Sequence, residues 1–136
     1  MDAILRRGAA INVHAEAPAE LSGWNWRLMI ETLSEKKAAI VSDDGDVDFV
    51  YPVSALPTCH KVTLADGRGF TAMCAIDAIG SAFAFEQDVQ VHSKCHTCNG
   101  PVEVEVRDGE IGRHNPEETR VLHVDLAKFD VWAGSA

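Results

Sequence analysis

Two Asp-Gly turns set between runs rich in β-branched residues constrain this chain more than anything else in it. In AAIVS-DDGD-VDFVYPV and in HKVTLA-DGRG-FTAM, Asp-Gly supplies the positive φ that a tight reversal needs, so each stretch is expected to fold as a β-hairpin. A third hairpin is expected from DVQVHS and PVEVEVRDG. There Val102, Val104 and Val106 alternate with Glu103, Glu105 and Arg107, and CHTCNG forms the tip. RHNPEE then reads as a polar loop and RVLHVDLA as a last strand. Helical spacing is confined to two places. Trp26, Met29, Ile30 and Leu33 repeat at i, i+3, i+4, i+7, with Ser22 as the expected cap and Trp24 able to extend the stripe. CAIDAIGSAFAF reads as a buried short helix or a strand-to-helix elbow. The fold class is therefore α+β, a mostly antiparallel sheet of hairpins with a few short helices. Residues 1–21, rich in Ala and broken by Pro18, are expected to form an N-terminal arm or short helix, loosely attached to a single domain over 22–136.

Composition narrows the function classes. A chain of 136 residues supports one core. Twenty-one acids against twelve Lys and Arg give a net charge of -9, which repels phosphate backbones and anionic lipid surfaces, so neither nucleic acid nor a membrane is an expected partner. The first helix and acidic hairpin resemble the end of a winged-helix unit, but the hairpin's charge opposes DNA binding. No apolar run approaches a membrane span, and MDAILRRGAAINVHAEAP lacks the sustained apolar stretch of a secretion signal, so the expected location is cytoplasmic. Four cysteines are then thiols, metal ligands or buried small side chains rather than a disulfide framework.

Three constellations could carry chemistry. Cys74 and Asp77 lie three apart, on one face if the segment is helical. A cysteine at such an elbow feels the helix N-terminus, which lowers a thiol pKa, whereas apolar surroundings raise that of the acid. Cys95 and Cys98 form a C-x-x-C turn, half of a metal site, whose other ligands would come from Cys59, His60, His92 or His96. Cys59 and His60, adjacent in a strand, point to opposite sides and form no automatic pair. His14, His114 and His123 have no partner spacing. No phosphate loop, nucleophile elbow or H-E-x-x-H motif is present.

The stretch from YPVS through PTCHKVTLADGRGFTAMCAIDAI to SKCHTCNGPVEVEV, about residues 50–107, resembles the core of the organomercurial (alkylmercury) lyase family. That family has a Thr-x-His segment, an Asp-Gly hairpin, a Trp-Cys-Ala-Leu-Asp motif, and a Ser-x-Cys segment with Gly and Pro before a strand. The resemblance implies an alkylmercury-lyase-like core in which Cys74 attacks mercury and Asp77 handles the proton for the departing carbon. Cys95 matches a cysteine read as structural. Met73 stands where the family has Trp, and these residues hold no counterpart of the segment with the second catalytic cysteine, which leaves Cys59 and Cys98 as substitutes. The implied partner is a small organometal or other small apolar compound, and the chain's size leaves room for a homodimer. No cofactor is required, because mercury is substrate and product. Two other readings stay open. One is a metal-handling protein holding zinc or copper through Cys59, Cys95 and Cys98 with neighbouring histidines, and the other is a divergent enzyme acting on a metal-free organic substrate.

Overall fold

Each Asp-Gly pair reverses the chain where the alternating pattern breaks. The computed structural model describes residues 1–15 and 17–122. Gly45 and Gly67 adopt φ of 85° and 86°, and they join β2 (Ala39–Val41) to β3 (Asp46–Val50) and β5 (His60–Leu64) to β6 (Gly69–Ala72) as antiparallel pairs. β7 (Val89–Lys94) and β8 (Pro101–Arg107) pair in register from Val89↔Val106 to Lys94↔Pro101, with the cysteine turn between them. The short β4 (Val53–Ser54) links the halves by pairing with both β3 and β6. With β1 (Ile11–Asn12) and β9 (Glu110–Asn115) at the ends, the described residues build a nine-stranded antiparallel sheet ordered β1-β3-β4-β6-β5-β7-β8-β9, and β2 pairs beside β3. The α+β expectation holds.

Three local expectations are corrected. Residues 113–115 of the expected RHNPEE loop lie in β9, because Asp108 and Gly109 both take positive φ (50° and 77°) and form a two-residue turn that sends the chain straight back along β8. Residues 120–122 of the expected last strand are in no regular element, and the rest of it, with His123, lies outside the described residues. The expected loose attachment of the N-terminal segment is not what the fold displays. α1 (Asp2–Arg7) ends at Gly8, and β1 pairs with β3, leaving Ile4 and Ile11 only 3% and 4% exposed. Asn12 ties this segment further by donating to the Asp46 side chain (2.9 Å) and the Asp44 carbonyl (3.0 Å).

α2 (Trp26–Glu35) is capped by Asn25, whose side chain accepts the Leu28 N–H at 3.2 Å. Ser22 is not the cap, and Trp24, 72% exposed, stays outside the helix. The change is physical: a cap must sit one residue before the first helical residue so that its oxygen reaches the free N–H groups. Ile30 and Trp26 bury against Ile4, Ile11, Val47, Val50 and Val53. A second cluster joins Val62, Leu64, Val89, Val91 and Val106 to Ala72, Ala78 and Ala82, the two last being on α3 (Ala75–Phe85). Phe70 and Phe85, with ring centres 5.4 Å apart, pack against both clusters. Small residues on α3 let it lie close on the sheet, which fixes where its N-terminus points. Among the described residues no helix is long and apolar enough to cross a membrane.

Candidate active site

β6 ends at Ala72, and two residues later the chain turns into α3 with Cys74 as the cap. Cys74 has extended backbone angles (φ -139°, ψ 174°), and its sulfur accepts the Asp77 backbone N–H at 3.5 Å while its carbonyl accepts Ala78 N–H at 3.0 Å. A cysteine thus replaces the usual Ser, Thr, Asp or Asn at this position. Thr58 steadies the approach, since its hydroxyl donates to the Ala72 carbonyl at 2.5 Å and accepts the His60 N–H at 3.2 Å. The predicted pair is brought together on the first turn of α3, where the Asp77 N–H points at the Cys74 sulfur.

Both groups are half-buried, and burial dominates their ionisation. Desolvation pushes the Asp77 carboxyl above its usual range, opposed by its hydrogen bonds with Cys74. Burial is also the largest effect on the Cys74 thiol and pushes it up. The N–H bonds from Asp77 and Ile76 pull it down, and the charge of Asp77 with its hold on the thiol proton pushes it up again. The expected lowering by the helix N-terminus is overruled, because removing a thiolate from water beside a carboxylate costs more than two peptide N–H bonds return.

A third side chain comes from far away in sequence. A Cβ on Gly80 would run into the Tyr51 hydroxyl, so the phenol lies across the first turns of α3 over a position that only glycine leaves open. Burial, then the charges of Asp77 and Cys74, raise the Tyr51 pKa. Sequence reasoning missed Tyr51. It is the chain's single tyrosine, but nothing in its spacing links it to Cys74, 23 positions on.

The remaining predicted ligands are spread more widely. The Cys95 thiol is held below its usual pKa, chiefly by the backbone N–H groups of Cys98 and Thr97. The turn is closed by Cys95 N–H to Gly100 carbonyl and Asn99 N–H to Cys95 carbonyl, both 2.8 Å. His60 does not turn to these sulfurs: its Nδ1 is 2.7 Å from Ser93 Oγ, and burial keeps its pKa low. His92 Nδ1 lies 3.6 Å from Glu103 Oε1, while His96 and Cys59 are exposed. Among the described residues no three His, Cys, Asp or Glu side chains group closely enough to hold a metal ion, so the expected convergence of Cys59, His60, His92 or His96 on Cys95 and Cys98 is not found.

The sequence model of the alkylmercury lyase family (MerB) matches residues 53–134, which contain Cys74, Asp77, Cys95 and Cys98. Among curated proteins none matches the chain. Among solved structures, the mercury-bound form of MerB2 is similar over 84% of this chain at 25% identity, with a TM-score of 0.61. This chain spans about half of that protein's length, 55%.

Proposed function

The chain belongs to the alkylmercury lyase family, and on that premise we propose that it cleaves carbon–mercury bonds, with Cys74 taking the metal and Asp77 delivering a proton to the carbon. The observation that carries this reading is the placement of Cys74 and Asp77 together on the first turn of α3, with the Asp77 N–H on the Cys74 sulfur at 3.5 Å and the carboxyl biased by burial toward its protonated form. A soft thiolate suits a soft metal ion, and a nearby acid turns a poor carbanion leaving group into a hydrocarbon. As mercury bonds to the Cys74 sulfur, the thiol proton passes to Asp77. The electron pair of the carbon–mercury bond then takes that proton, a C–H bond forms, and the ion stays on sulfur. Mercury is Hg(II) throughout, so no redox partner or cofactor enters.

Phenylmercury given to the reduced protein tests this directly. Headspace analysis should find one benzene per chain in a single turnover, none from Cys74→Ser, and a rate lowered about a hundredfold or more in Asp77→Asn, the usual scale of a lost proton-transfer group. Absence of benzene from the unaltered protein would sink the lyase reading and leave family membership intact.

A further inference from the structure

The β6-β5-β7 registers bring Cys74 and the Cys95–Cys98 turn to the same end of the sheet. His60 pairs with Ala72 on one side, and Lys61 pairs with His92 on the other. Continued past the last pairs, those registers set Cys74 on one side of residue 58 and Cys95 on its other side. The Ser93 hydroxyl to His60 ring contact, 2.7 Å, agrees with the β5-β7 register, and Thr58 hydroxyl to Ala72 carbonyl ties the approach to β5 to the end of β6.

We propose that Cys95 and Cys98 form a two-sulfur acceptor that takes the mercuric ion left on Cys74 and holds it at the exposed hairpin tip. This rests on the lyase reading for the source of the ion, but not for its binding. The two cysteines sit on one tight turn, closed by Cys95 N–H to Gly100 carbonyl and Asn99 N–H to Cys95 carbonyl at 2.8 Å, and two metal–sulfur bonds of about 2.3 Å span sulfurs up to about 4.6 Å apart, a reach that a C-x-x-C turn supplies. Gly100 borders this space, since a Cβ there would approach the Cys98 sulfur at 3.3 Å. A pair of thiolates without a third convergent ligand among the described residues suits a soft ion satisfied by two sulfurs. In the transfer, two Hg–S bonds form as the Cys74–Hg bond breaks. Two thiol protons leave, one returns to Cys74, one goes to solvent, and no electron changes hands.

Mercuric chloride alone, added to the reduced full chain at one equivalent, tests the binding. After challenge with excess small monothiol, free cysteines are alkylated and mapped by mass spectrometry. Cys95 and Cys98 should be protected together while Cys59 and Cys74 are alkylated, and either Cys95→Ser or Cys98→Ser should lower retention about a hundredfold through loss of the chelate. Protection of Cys74 with retention unchanged in Cys98→Ser would overturn the proposal, and the protection map of the unaltered chain makes that decision without any variant. The same map after phenylmercury turnover tests the transfer. Benzene release with mercury still on Cys74 overturns the acceptor while the lyase stands, whereas mercuric chloride protecting the dithiol in a protein that releases no benzene overturns only the lyase.

Discussion

At the head of α3, burial and the charge of Asp77 both hold the Cys74 thiol in its neutral form. That charge is lost in Asp77→Asn, while the backbone N–H of residue 77 still points at the sulfur. Cys74 in that variant should ionise at lower pH than in the unaltered protein, seen as an alkylation rate that rises earlier with pH, even as benzene release slows about a hundredfold or more. A more reactive thiol together with slowed benzene release would separate a proton donor from a residue that merely shapes the site. Stability should move with a defined sign. The Asp77 pKa is raised above its ordinary 3.8 by burial, so its full contribution is present below that value and is lost as pH rises through the raised one. Chemical denaturation at pH 3 and pH 8 should therefore find Asp77→Asn gaining on the unaltered protein only at the higher pH. Cys74 and Asp77 were legible as a pair because an i, i+3 spacing is local. The direction of the thiol's shift was not, because burial is set by what packs over the helix.

At the level of single elements, α3 trades helix propensity for room. Gly80 in mid-helix costs about 0.5–1 kcal/mol relative to Ala, and Ala there would meet the Tyr51 hydroxyl. Tyr51 is 41% exposed and free to swing outward, so Gly80→Ala should fold with stability within about 1 kcal/mol of the original. Because the chain has one tyrosine, an absorbance titration reads this residue alone. Its pKa, raised above 10.0 in the native protein, should fall back toward that value in Gly80→Ala. α2 offers a plainer contrast. Asn25→Ala should cost about 1 kcal/mol in urea unfolding and Ser22→Ala should cost almost nothing, since only Asn25 reaches a free N–H of the first turn. The stripe of Trp26 and Ile30 was readable from periodicity, whereas Ser22 and Asn25 both stand near the helix start as possible caps and backbone geometry chooses between them.

For the whole molecule, two apolar clusters share one sheet, and the N-terminal segment closes the first. Deleting residues 1–12 removes Ile4 and Ile11 from that cluster and uncovers part of β3, so it should cost roughly 3–6 kcal/mol in urea unfolding, at 1.5–3 kcal/mol for each buried side chain. Much of the architecture was present in local sequence. Asp-Gly turns and β-branched alternation specify antiparallel hairpins because a two-residue turn and a period of two involve neighbours only. The Cys-Ala-Ile-Asp segment specifies a thiol and an acid on one helical turn for the same reason. Tertiary structure decided the rest: that Tyr51 lies over Gly80, that His60 goes to Ser93 rather than to a sulfur, and that Cys74 and the Cys95–Cys98 turn share one end of the sheet. Those relations depend on strand order and register between segments far apart in the chain, and a one-dimensional pattern carries no record of which hairpin lies beside which.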